Sequence, residues 1–225
     1  MIDVKDSKAK TEILSTIRKN LRMSSSRDSV HSAHYHVSTQ LPDISPPVVS
    51  KSDETLTEWF CENLRSVCGN CSIVPNIESA STVLKTILTD LGPRRIAISD
   101  SPLVRSIIDS IETDAEILST APAAELFNCD VGITGAQFAI AETGTLVLKS
   151  QEEFARLTSL VPDVHICILE TEKISGTMSE VLEILGNDPD PAVTFITGPS
   201  RTSDIELTLA IGVHGPRELH VIVIA

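Results

Sequence analysis

The sequence predicts a three-layer α/β/α protein in which a mostly parallel β-sheet lies between helices. Three observations carry this reading. From Thr55 onward, short apolar runs alternate with amphipathic segments, the pattern of βαβ crossovers. Several of the short runs are apolar on both faces, as strands covered from two sides must be. The longer segments begin and end on capping residues.

In chain order, residues 7–22, "SKAKTEILSTIRKNLR", space Ile13, Leu14, Ile17 and Leu21 as one apolar helix face. The following "MSSSRDSVHSAHYHVSTQLPDISPPVVSKSD" is rich in Ser, His and Pro, lacks periodicity and reads as an arm. His31, His34 and His36 fall close together there, but no rigid scaffold fixes them, so no metal site is expected. The organisation is therefore an N-terminal helix and arm over 1–52, and a folded domain over 53–225.

"TLTEWFCENLRSVCG" carries a Thr55-x-x-Glu58 capping box, an apolar stripe and a terminating Gly69, so a helix begins the domain. "CSIVP" is a strand, "ESASTVLKTILTDLGP" a helix ended by Gly92-Pro93, and "RRIAIS" a strand. "SPLVRSIIDSIE" is a helix with Ser101 as N-cap and Pro102 in its first turn. "AEILS", "VGIT", "TLVLK", "HICILE", "AVTFIT" and "RELHVIVIA" are strands; "TMSEVLEILG" and "SDIELTLAIG" are helices.

Charge narrows the function. Net charge is −13 overall. Residues 1–52 hold eight Lys/Arg against five Asp/Glu, and the remainder ten against twenty-six. A domain that acidic repels phosphate backbones, which excludes nucleic acid as its partner. No apolar run is long enough to span a bilayer, and "MIDVKDSKAK" lacks the apolar core of a secretory signal, so a cytoplasmic protein is expected. The five cysteines form an odd set and suit reduced thiols. Cys68-Gly-Asn-Cys71 is a single CxxC, short of the ligands that zinc or an iron–sulfur cluster needs.

Chemistry is expected at three polar turns. In "GITGAQFAIAETGTLVL", Glu142, Thr143, Gly144 and Thr145 interrupt an apolar run, and a carboxylate there must be hydrogen-bonded or neutralised. Glu142 is a candidate catalytic acid or an anchored structural carboxylate. Thr134, which ends "VGIT", Gly135, which follows it, and Thr143, Gly144 and Thr145 are candidate ligand contacts. In "TGPSRTSDIE", Gly198 admits close approach of a ligand, Ser200 and Thr202 add hydroxyls, and Arg201 adds charge. Ser203-x-x-Glu206 reads there as a capping box, and Arg201 fits either a ligand or an ion pair with Asp204 or Glu206. In "GVHGPRELH", His214 sits between glycines as a candidate acid or base, with Gly215 and Arg217 beside it. His165 and His220 read as structural. No GxGxxG, Walker loop or nucleophile elbow is present.

"VGITGAQFAIAETGTLVL", "ITGPSRTSDIE" and "GVHGPRELHVIVI", in this order and spacing, resemble the LUD domain family over most of residues 55–225. The resemblance implies a NagB/RpiA/CoA-transferase-like fold and a cytosolic role in a system that oxidises L-lactate to pyruvate. It implies iron–sulfur proteins as partners. The clusters are expected on those partners and no cofactor or metal on this chain, which lacks the cysteine-rich ferredoxin-like segment of larger members. The expected ligand is a small carboxylate, gripped by Arg201 or Arg217, with Glu142 or His214 handling a proton. Two alternatives stand beside this: a CoA-transferase-like enzyme with Glu142 as nucleophile, and a non-catalytic scaffold for the iron–sulfur partners.

Overall fold

The computed structural model describes residues 12–19, 53–119, 123–150, 156–187, 190–202, 210–211 and 215–225. Residues 1–45 and 46–225 form two compact units. In the first, residues 12–19 form helix α1, on which Ile13, Leu14 and Ile17 are exposed. Leu21 and the Ser/His/Pro-rich arm lie outside the described residues.

The second unit opens with α2 (Asp53–Ser66), β1 (Asn70–Val74), α3 (Ile77–Leu91), β2 (Arg95–Ile98), α4 (Pro102–Ile108) and β3 (Glu116–Leu118). It continues through α5 (Ala123–Leu126), β4 (Val131–Thr134), β5 (Phe138–Ile140), β6 (Thr145–Lys149) and β7 (Val164–Glu170). Then come β8 (Ile174–Ser175), α6 (Met178–Asn187), β9 (Val193–Ile196), β10 (Arg201–Thr202), β11 (Ala210–Ile211) and β12 (Glu218–Ile224).

Six strands form a parallel sheet in the order β1-β12-β7-β4-β2-β3, with helices on both faces, the α/β architecture the alternation predicts. One face packs Ile96, Ile133, Ile166 and Ile222 against Ala80, Leu84 and Leu88 of α3 and Val104 and Ile107 of α4. The other packs Cys167, Leu169, Val221 and Val223 against Phe60 and Leu64 of α2. The central strands β4 and β7 are buried along almost their whole length, which is why they read as unbroken apolar runs.

Local signals explain the helix ends. The side chain of Asn76 accepts from the Ser79 amide at 2.8 Å to start α3. Gly92, at φ 58°, closes it by donating its N–H to the Leu88 carbonyl. Two expected caps differ. Helix α2 begins at Asp53, so Thr55 lies in the first turn and not at its cap. Ser101 precedes α4, but its side chain makes no capping bond; Pro102, which has no N–H to satisfy, starts the helix instead.

Three further features were not legible. Residues 138–140 form a separate short strand, and β8-β5-β6-β9 make a second sheet against which α2 packs. The expected helix over "SDIELTLAIG" is corrected at its end: Ala210 and Ile211 pair antiparallel with Thr202 and Arg201. Ile205, Leu207, Leu209 and Ile211 alternate with period two, a strand signal that the capping box masked. Residues 203–209 lie outside the described residues. The expectation of reduced thiols is corrected for two cysteines: Cys61 of α2 and Cys71 of β1 form a disulfide, with Cα atoms 5.5 Å apart. Helix α2 turns back onto β1 within ten residues and brings them together. Among the described residues, no helix is long and apolar enough to cross a membrane.

Candidate functional site

Strand β9 ends at Ile196, and the chain turns through Thr197, Gly198 and Ser200. Gly198 holds φ 81°, and a Cβ there would sit 2.6 Å from the Val67 carbonyl oxygen, so only glycine lets this turn pass over the end of α2. The Ser200 amide donates to the Pro216 carbonyl at 2.8 Å, and the Arg217 amide donates to the Asp163 carbonyl at 2.7 Å. These bonds tie the second and third polar turns together at the amino ends of β7 and β12. Between them lies a pocket of about 190 Å³ lined by Leu160, His165, Thr197, Gly198, Ser200 and Gly215 among others.

His165, which the sequence reads as structural, is among the residues that line this pocket. It is 1% exposed, and its Nε2 lies 2.8 Å from the Thr134 hydroxyl. Burial pushes its pKa down to about 3, so the ring is neutral throughout the physiological range. Its Nδ1 has no hydrogen-bond partner. Gly132 stands opposite His165 in the sheet, and a Cβ on Gly132 would meet the Thr158 carbonyl oxygen at 1.9 Å, so the Arg156–Ser159 turn lies directly on this part of the sheet. A polar ring inside the otherwise apolar "VHICILE" was the signal available in the sequence.

The first polar turn is the β5–β6 hairpin connection. Ile140 pairs with Thr145, and residues 141–144 form the turn. Gly144 holds φ 63°, and a Cβ there would sit 2.3 Å from the Leu64 amide nitrogen, so the hairpin presses backbone to backbone on α2. The Thr143 and Thr145 hydroxyls lie 2.7 Å apart, and Thr145 is 2.7 Å from the Thr197 hydroxyl. A row of hydroxyls thus leads from the hairpin to the pocket wall.

Several candidates sit apart from the pocket lining. Glu142 is exposed, and its Oε1 accepts from the Met178 amide at the start of α6. Arg201 donates to the Val67 carbonyl at 2.7 Å. Arg217 is exposed, with its Nε 3.8 Å from Asp163 Oδ1. Thr202 is placed by its backbone in β10. His214 lies outside the described residues. Gly135 lines a different cleft, of about 800 Å³, with Asp100, Ser101, Gln137, Glu170 and Lys173. That cleft opens at the carboxyl ends of β2 and β4, where the chain leaves toward opposite edges of the sheet, the topological position at which α/β folds gather ligands. No group of three or more His, Cys, Asp or Glu among the described residues is arranged to hold a metal.

Comparison with known proteins gives a consistent family. The chain is 41% identical over 144 residues to an uncharacterised protein of Neisseria meningitidis, covering 63% of this chain and 61% of that one. It is 42% identical over 104 residues to lactate utilization protein C of Deinococcus radiodurans, covering 45% of this chain and 49% of that one. It is 39% identical over 93 residues to lactate utilization protein C of Bacillus subtilis, covering 39% of each. The chain thus spans less than two thirds of the length of each of these relatives. Its fold is similar to the crystal structure of a DUF162 family protein from Deinococcus radiodurans, with a TM-score of 0.60, 24% identity, and coverage of 78% of this chain and 99% of that one. The LUD domain model matches residues 4–224, and the chain belongs to the LUD domain family.

Proposed function

We propose that this chain is a component of a lactate utilization system and binds a small carboxylate in the pocket between the Thr197–Ser200 and Gly215–Arg217 turns. The observation that carries the reading is the junction of these two turns, through the Ser200–Pro216 bond, around one pocket. It stands beside a family membership in which similar proteins bear the name lactate utilization protein C. In this reading the Thr197 and Ser200 hydroxyls receive the polar end of the ligand, and Arg217 meets its carboxylate at the rim. The 3.8 Å pair with Asp163 is loose and exposed, so Arg217 gives up little by turning to a ligand. His214, next to Gly215 in sequence, is the candidate acid or base. Iron–sulfur clusters belong to partner proteins in the cytoplasm, which take the electrons of lactate oxidation.

The CoA-transferase-like alternative has weaker support, because Glu142 is engaged with the Met178 amide and does not line the pocket. Deletion of the gene, with growth measured on L-lactate as the carbon source, tests the cellular role. Undiminished growth rejects it. Calorimetric titration of the full chain with L-lactate and pyruvate tests the binding role, and absence of heat with either rejects that part.

A further inference from the structure

Two buried side-chain polar atoms among the described residues have no hydrogen-bond partner, and they occupy the same corner of the fold. They are Nδ1 of His165 and the hydroxyl of Thr158. Gly132 lies opposite His165 in the sheet, and the Thr158 carbonyl rests on Gly132. Thr158 is followed by Ser159 and Leu160, which line the pocket together with His165. An unpaired polar atom in a dry interior is costly, and two such atoms on adjoining segments form a place where an exogenous oxygen would be welcome.

We propose that His165 and Thr158 form a polar subsite at the floor of the pocket that receives the C2 oxygen of a 2-hydroxy- or 2-oxo-carboxylate. This deepens, and rests on, the reading of the pocket as a small-carboxylate site. Thr134 acts as the positioning residue. When its hydroxyl donates to Nε2 across 2.8 Å, the remaining ring proton lies on Nδ1, which then donates to a keto or hydroxyl oxygen. Thr158 can donate or accept, so the pair serves either oxidation state of the ligand.

Charge argues for the same division of labour. Among the described residues no charged side chain lines this pocket, so its floor suits an uncharged oxygen, while the ligand's carboxylate stays outside it near Arg217. Both floor atoms are closed to bulk water, so the turn at Ser159–Leu160 must give way for an oxygen to reach them. A hydrogen bond formed in such a dry place discriminates against a ligand that lacks the oxygen.

Propionate has the carbon chain and carboxylate of lactate without the C2 oxygen, which makes it the matching probe. Calorimetric titrations of the full chain with L-lactate, pyruvate and propionate are expected to show the two oxygenated acids binding about 10-fold or more tighter than propionate. His165→Phe and Thr158→Val are each expected to remove most of that preference while leaving propionate affinity within about 2-fold. His165→Gln, which keeps a polar group, is expected to retain part of it. Equal wild-type affinity for all three acids overturns the subsite but leaves the carboxylate site standing. Preference retained in Thr158→Val and His165→Gln at full wild-type strength also overturns it, and Thr158→Val serves if His165→Phe does not fold. Binding of none of the three acids fails the underlying reading of the pocket, and the subsite with it.

Discussion

The carboxylate of Glu142 accepts a 2.6 Å hydrogen bond from the backbone N–H of Met178, the first residue of α6. Glu180 completes the arrangement by accepting from the Gly176 and Thr177 amides at 2.9 and 3.3 Å. A carboxylate at this end of a helix is favoured by the unpaired amides and by the helix dipole. Glu142→Gln is therefore expected to lower stability by about 0.5–1 kcal/mol in urea unfolding, the value being small because the side chain is exposed. After incubation with an acyl-CoA, mass spectrometry is expected to find no adduct on Glu142. An unchanged unfolding midpoint together with an adduct would move the residue from capping to chemistry.

Gly144 meets α2 with no room for a side chain. Gly144→Ala places a methyl within contact of the Leu64 amide and forces a left-handed backbone on a residue that resists it. We expect a loss of about 3 kcal/mol or more, read as a lower denaturant midpoint at unchanged slope. A loss under about 1 kcal/mol would mean that the hairpin lifts from α2 without consequence.

The neutral state of His165 couples stability to pH. Its pKa falls from 6.5 to about 3 on folding, because burial disfavours the charged ring. The unfolded chain therefore takes up a proton that the folded chain refuses. The stabilising difference is complete above pH 6.5 and is lost as pH falls toward 3. Relative to His165→Gln, wild-type stability should drop by roughly 3 kcal/mol between pH 7 and pH 4. Parallel pH profiles for the two proteins would show that the ring titrates normally.

The two arginines at the turns should separate by assay. Arg201 is tied to the Val67 carbonyl, so Arg201→Ala is expected to reduce stability by no more than about 1 kcal/mol and to change pyruvate affinity less than about 2-fold. Arg217 is tied only loosely, so Arg217→Ala should weaken pyruvate binding about 10-fold and reduce its dependence on salt. Calorimetry at low and high ionic strength checks both. The opposite ranking would place the carboxylate on the Arg201 side.

Much of the architecture was legible because its signals are local. The Gly92-Pro93 terminus and the apolar run "HICILE" each describe a stretch of chain to itself, and the helix and strand they imply are present. Ala210–Ile211 escaped because a capping pattern and a period-two pattern overlap in the same residues, and only pairing with Arg201–Thr202 decides between them. The turns at Gly198 and Gly215 could be nominated as polar and glycine-rich. That they meet through Ser200 and Pro216 follows from β9 and β12 lying in different sheets, which no local pattern encodes.

Residue order alone determined the alternation of helices and strands, the acidic domain and the three family motifs, since each is written in neighbouring side chains. Tertiary structure decided which polar groups meet. It brought His165 to Thr134, set the Thr145 hydroxyl against Thr197, and turned Glu142 toward α6 and away from the pocket. The reason is that a hydrogen bond depends on where two groups lie in space, and here the partners are as much as 52 residues apart in the chain.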